Sequence, residues 1–94
     1  MGYGFLIHGD EDHVGVAVRD LTRGETITGS FQRGKKEMTV TLRDDVPLGH
    51  KVALQDRQIG EPIVKYNEVI GLATIPIAAG DHVHVHNIRS VRWG

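Results

Sequence analysis

The chain has 94 residues, with 11 basic and 12 acidic side chains and a formal charge of −1. That balance gives no electrostatic reason to expect nucleic acid or an anionic membrane as partner. The absence of cysteine excludes disulfides, thiolate catalysis and cysteine-ligated zinc. A chain of this length forms one domain, 1–94, with a modest core. A deep closed pocket would hollow out much of that core, so a ligand site is expected in a surface groove or at an interface. No apolar run approaches the ~20 residues of a membrane-spanning helix, and Met1-Gly2-Tyr3-Gly4-Phe5 shows no signal-peptide pattern. The expectation is a soluble cytoplasmic protein.

In chain order, Tyr3 to Ile7 and His13 to Val18 read as strands, with Gly9-Asp10-Glu11-Asp12 turning between them. Val14, Val16 and Val18 share one face of the second strand. Gly15 and Ala17 leave the other face thin, which allows close approach of another strand. Asp20 to Ile27 is a polar glycine turn feeding a β segment. Gly34-Lys35-Lys36 reads as a turn between Ser30-Phe31 and a strand at Met38 to Leu42, where Met38, Val40 and Leu42 point inward and both threonines outward.

A local pattern then recurs. Val46-Pro47-Leu48-Gly49-His50-Lys51-Val52 matches Ile77-Ala78-Ala79-Gly80-Asp81-His82-Val83, and Leu21 to Ile27 and Gln58 to Ile63 echo it. The economical reading is a tight turn at glycine with positive φ that sets the register of the next strand. Pro47, Pro62 and Pro76 argue against long helices, and no segment carries a helical apolar stripe. The expected fold is mainly β, with short bent strands in a barrel-like or clip-like arrangement.

Chemistry concentrates near the end of the chain. The stretch from His82 to Asn87 reads as a strand of period two, with His82, His84 and His86 on one face and Val83 and Val85 on the other. Side chains at i and i+2 lie about 6.5–7 Å apart at the backbone, so neighbouring imidazoles can converge on a metal, with His8, His13 or His50 available to complete it. A solvated strand is the plain alternative, and completion of a site on another polypeptide is a third. Asn67-Glu68 reads as a turn after Val64. Lys65 there suits an anion as a point charge or lies along Tyr66 as a rim lysine, and His50-Lys51 admit the same two readings. His8 to His13 gathers two histidines and three carboxylates, hard-ligand chemistry or a solvated acidic loop.

The ordered blocks Ile7-His8, Val14-Gly15-Val16-Ala17, Val46 to Leu54, Gly60 to Tyr66, Ile70-Gly71-Leu72-Ala73 and Ala79 to Asn87 resemble the SAF-type N-terminal domain of altronate and galactarate dehydratases and the small subunits of related split lyases. Lys65-Tyr66-Asn67 stands where the family has Lys-Tyr-Gly, and Asp12-His13 where it has Asp-Asn.

The resemblance implies a β-clip fold and a large catalytic lyase subunit as partner, with a chain of this size looking like the small subunit. It implies elimination of water or sulfite from a 2-hydroxy acid, an altronate-type sugar acid or sulfolactate, with no turnover by the small chain alone. A divalent cation, Fe2+ or Mn2+, is expected in the complex, mainly on the large subunit, and no cofactor in the isolated chain. His84, His86 and Asn87 are assigned to a shared active-site edge facing another chain, and Lys65, His50 and His8 to substrate or anion binding. His84 and His86 are the candidate metal ligands, with His82 nearer the turn and less needed than these. The alternatives are a non-catalytic SAF module binding carbohydrate or protein, and a structural homodimer; a homo-oligomer is also a possible partner state.

Overall fold

Hydrogen bonding rather than a large core shapes this chain, whose short strands are pinned at nearly every turn. The computed structural model describes residues 2–33 and 36–91. The expected turn at Gly34-Lys35-Lys36 therefore lies, except for Lys36, outside the described residues.

Nine strands follow in order: β1 (Phe5–Ile7), β2 (Val14–Ala17), β3 (Thr26–Phe31), β4 (Glu37–Thr41), β5 (Lys51–Ala53), β6 (Pro62–Lys65), β7 (Glu68–Ala73), β8 (His82–Val83) and β9 (Ile88–Ser90). A six-stranded sheet runs β4-β3-β1-β2-β5-β8 and a three-stranded sheet runs β6-β7-β9. Only the β1–β3 pair is parallel among these ladders. No helix occurs among the described residues. The fold is mainly β, a curled sheet of the β-clip type as expected.

The sheets enclose two apolar clusters. Phe5, Ile7, Ala17, Leu21, Ile27, Val40, Leu42, Val46, Val52 and Leu54 form one, and Val14, Ala53, Ile63, Ala73, Ile77 and Val83 the other. Strand β2 serves both, because alternation sends Val14 one way and Ala17 the other. The thin face is real: a Cβ on Gly15 would overlap the Phe5 ring. The shared valine face is not uniform, since Val14 is buried and Val18 exposed.

The glycine pattern is a built device. Gly24, Gly49, Gly60 and Gly80 all have φ between 84° and 93°, the left-handed region that favours glycine. A backbone hydrogen bond closes each turn, from Glu25 to Thr22, His50 to Pro47, Glu61 to Gln58 and Asp81 to Ala78, at 2.9–3.1 Å. In three of them the acid after glycine also accepts the N–H of the turn's first residue: Glu25 from Thr22 at 2.6 Å, Glu61 from Gln58 at 2.6 Å and Asp81 from Ala78 at 2.8 Å. The remaining turn begins with Pro47, which has no N–H to satisfy, and carries His50 where the others carry an acid. The His50 imidazole is thereby left out of the turn's own hydrogen bonds.

Aspartates preceding the turns tie them in pairs. Asp20 accepts the N–H of Leu48 at 2.9 Å and Asp45 that of Arg23 at 2.8 Å, flanking the bridge between Leu21 and Val46. Asp56 accepts from Ala79 at 3.0 Å beside the bridge between Arg57 and Ile77. The β5–β8 ladder, with Lys51 opposite Val83 and Val52 opposite His82, brings the turn bearing His50 beside the start of β8.

Candidate functional site: an imidazole cluster at the end of β8

The strand expected to run to Asn87 stops at Val83, and His84–Asn87 form a turn. The physical reason is Asn87. Its amide nitrogen donates to the His82 carbonyl at 2.8 Å and its amide oxygen accepts the His84 N–H at 3.0 Å, diverting groups that an extended strand would offer to a neighbour. Val83 is fully buried while Val85 is 80% exposed, so the two valines do not share a buried face.

The turn still gathers the histidines. His82 pairs with Val52 across β5 and β8, which brings it alongside His50. The His50 Nδ1 and His82 Nε2 lie 2.9 Å apart, in hydrogen-bonding contact. The His84 ring stacks 4.6 Å from His50 and 5.5 Å from His82, and His86 lies 5.3 Å from His82. His82 is the hub of these contacts, its ring facing those of His50, His84 and His86. Burial, then the neighbouring His50, His86 and His84, push its pKa below 6.5, with Asp44 opposing weakly. The Asp44 carboxylate accepts the His82 backbone N–H at 3.0 Å and fixes the strand from its other side.

One nitrogen from each of His50, His82 and His84 lies within 4.8 Å of the other two. Imidazole suits borderline first-row ions, whereas calcium and magnesium demand oxygen. The donor set thus fits a transition ion such as Fe2+. His8 and His13, also considered as completing ligands, do not join this group. Asn87 is 2% exposed with both ends of its amide engaged by backbone, so it braces the turn from behind and does not face another chain.

The other candidates sit around the β6–β7 hairpin. Its turn residues are Tyr66 and Asn67, with φ of 54° and 60°, and Glu68 already belongs to β7. The left-handed geometry explains how asparagine stands here in place of glycine. The Asp12 carboxylate holds this turn, accepting N–H groups from Gly9 and Tyr66 at 3.0 Å and Asn67 at 3.1 Å. The carboxylate considered for metal chemistry is consumed by backbone. His13 is also structural: its Nδ1 accepts the Val64 N–H at 3.0 Å, which places the ring proton on Nε2. Burial, then the Arg57 charge, lower its pKa from 6.5, partly offset by nearby carboxylates.

His8 stacks on Tyr66 at 4.0 Å, its Nδ1 lies 3.0 Å from Gln32 Oε1, and both rings line an open groove of about 370 Å³ with Arg33 and Asn67. Sequence reading did not find Gln32, because nothing in the pattern signals the apposition of a post-β3 residue with His8. Lys65 places its ammonium 5.3 Å from the Tyr66 ring centroid. Lys51 is half-buried, and burial followed by the charge of Lys65 lowers its pKa from 10.5. Two adjacent cations make this edge favourable to an anion.

A family profile described as the altronate/galactarate dehydratase SAF domain matches residues 3–91. The chain is 35% identical over 94 residues to the (2R)-sulfolactate sulfo-lyase subunit alpha of Chromohalobacter salexigens, covering 99% of this chain and 100% of that one. It is 47% identical over 79 residues to the altronate dehydratase of Escherichia coli, and 36% identical over 80 residues to that of Bacillus subtilis. It spans 84% and 85% of itself in those two matches, and only 15% of each dehydratase.

Proposed function

The chain belongs to the altronate/galactarate dehydratase SAF-domain family, and from that premise we propose that it serves as the small subunit of a lyase that eliminates water or sulfite from a 2-hydroxy acid. The observation that carries this reading is the pair of exposed imidazoles, His84 and His86, held on a turn that the buried Asn87 makes rigid. They lie open on the surface, so the walls of a reaction site come from a second polypeptide, a large catalytic subunit.

Elimination removes the proton on C2, beside the carboxylate; the C–H electron pair forms the C2–C3 double bond, and the C3–O or C3–S bond breaks. The departing hydroxide leaves as water once protonated, and sulfur leaves as sulfite. An imidazole exchanges a proton near neutral pH, so His86 is assigned to take or return one, with His84 beside it. Asn87 is a positioning residue that sets the backbone of both. Lys65, supported by Lys51, offers cationic charge to the substrate carboxylate or sulfonate, and His50 and His8 are assigned to the same anion-binding role. A divalent cation in the complex, Fe2+ or Mn2+ and chiefly on the large subunit, would supply Lewis-acid stabilisation of developing enolate charge.

The test is His86→Ala in the reconstituted two-subunit complex, assayed on altronate and sulfolactate. A general acid–base group accounts for about 10²–10⁴-fold in rate, so turnover should fall by at least ~100-fold with the complex still assembled. Turnover near that of the unaltered complex removes His86 from the reaction.

A further inference from the structure

We infer that His50, His82 and His84 form a transition-metal site belonging to this chain by itself, taking a first-row ion of the Fe2+, Co2+, Ni2+ or Zn2+ class through three imidazole nitrogens. This goes beyond the lyase reading, which puts the cation chiefly on another subunit and needs no ion here.

Three independent features of the fold converge on the triad. Its nitrogens come from two separate segments, the turn before β5 and the end of β8, and already lie within 4.8 Å of one another. Ligands at ~2.0–2.1 Å from a tetrahedral ion stand about 3.3–3.4 Å apart, so closure requires inward movement of at most about 1–1.5 Å. Rotation of the exposed His84 ring covers that distance without touching the core.

The second feature is what the three rings do not bond. His13 spends its Nδ1 on a backbone N–H. His50 and His82 instead share one proton between two ring nitrogens 2.9 Å apart, and His84 stacks beside them. An ion accepted in place of that proton satisfies both nitrogens at once.

The third is rigidity. The ligand backbones are fixed by bonds independent of the rings. Asn87 holds His82 and His84 at 2.8 and 3.0 Å, Asp44 holds His82 at 3.0 Å, and the Pro47–Gly49 turn holds His50. Such support keeps ligands near productive geometry before the ion arrives. Three protein ligands leave a fourth position open, and the exposed side at His84 directs it to solvent, where water or an oxygen of a bound acid can enter.

The test is titration of the 94-residue chain, free of any histidine tag, with Co2+, followed by its visible d–d absorption, and with Zn2+ by calorimetry. The expected result is one ion per chain, with affinity rising from pH 6 to pH 8. His84→Ala should weaken binding by more than tenfold, since even loss of an outer-shell partner costs a metal site about 10–100-fold. That residue is exposed, so folding is preserved and is checked by the amide spectrum. His50→Ala should weaken binding comparably. Absence of a cobalt band and of zinc heat at millimolar ion overturns the inference, as does binding that His84→Ala and His50→Ala leave unchanged. Failure of the His86 turnover test leaves this site standing, and the reverse also holds.

Discussion

The N-terminal loop from His8 to His13 and the C-terminal turn from His82 to Asn87 have similar ingredients and opposite uses for them. Each contains one of the buried polar side chains of the described residues, Asp12 at 4% and Asn87 at 2% exposure. Each of these satisfies backbone groups and so shapes a turn: Asp12 the Tyr66-Asn67 turn, Asn87 its own. The histidines then diverge. His13 is tied to the backbone of Val64, whereas the rings of His50, His82 and His84 meet one another, and that of His82 also meets His86. A polar side chain whose partners are backbone groups builds the fold. One whose partners are other titratable side chains is left for a ligand or a proton.

The largest effect that sharpens this contrast is at Asp12. Replacing it with alanine strands three N–H donors, from Gly9, Tyr66 and Asn67, in a partly closed environment. Unsatisfied donors cost about 1–3 kcal/mol each when fully buried, and the partial exposure of the Tyr66 turn lowers the total to about 2–4 kcal/mol. Urea denaturation should show that loss, with the Co2+ response of the imidazole cluster retained in the folded protein. A change below about 0.5 kcal/mol would break the claim that Asp12 is a builder.

Much of the architecture was readable in advance, and the reasons lie in particular residues. Alternation placed Val40 and Leu42 in the core, and glycines three positions before apolar residues marked turns with positive φ. Those signals are local. The C-terminal strand misled because Asn87, five residues from His82, captures its carbonyl, and a period-two pattern carries no trace of such a bond. His50 was recognisable as a spare histidine, but its meeting with His82 depends on the β5–β8 register, a long-range fact. The function of Asp12 was equally hidden, since two of its three partners lie 54 and 55 residues away.

A smaller effect tests the hairpin that carries Tyr66. Both turn residues are left-handed, a conformation that asparagine tolerates and β-branched residues do not. Asn67→Val should therefore cost about 1–2 kcal/mol in stability, from backbone strain alone. Tyr66→Asn should cost no more than a few tenths, since the strain of an aromatic residue at φ 54° is relieved as its stacking on His8 is lost. The tyrosine is thus retained at the expense of local comfort, on the rim of the groove it shares with His8 and Arg33. Equal stability losses in the two variants would refute that account.

The smallest expected effect is the pH dependence contributed by His13. Its pKa in the folded chain lies below the ordinary 6.5, because burial and the Arg57 charge disfavour the imidazolium, and because Nδ1 must stay bare to accept the Val64 N–H. Above pH 6.5 neither the folded nor the unfolded chain carries the proton, and the full stabilisation is present. As the pH falls through 6.5 the unfolded chain binds the proton first, so stability declines. The decline ends once the folded pKa is passed and both states are protonated. His82 shifts in the same direction and adds to the slope, while carboxylates intervene only below about pH 5. His13→Asn keeps an acceptor for Val64 and removes the titration, so its denaturation midpoint should fall less between pH 7 and pH 5 than that of the unaltered chain. An identical pH slope in the two proteins would mean that His13 is no backbone anchor, and the division between building and available histidines would have to be redrawn.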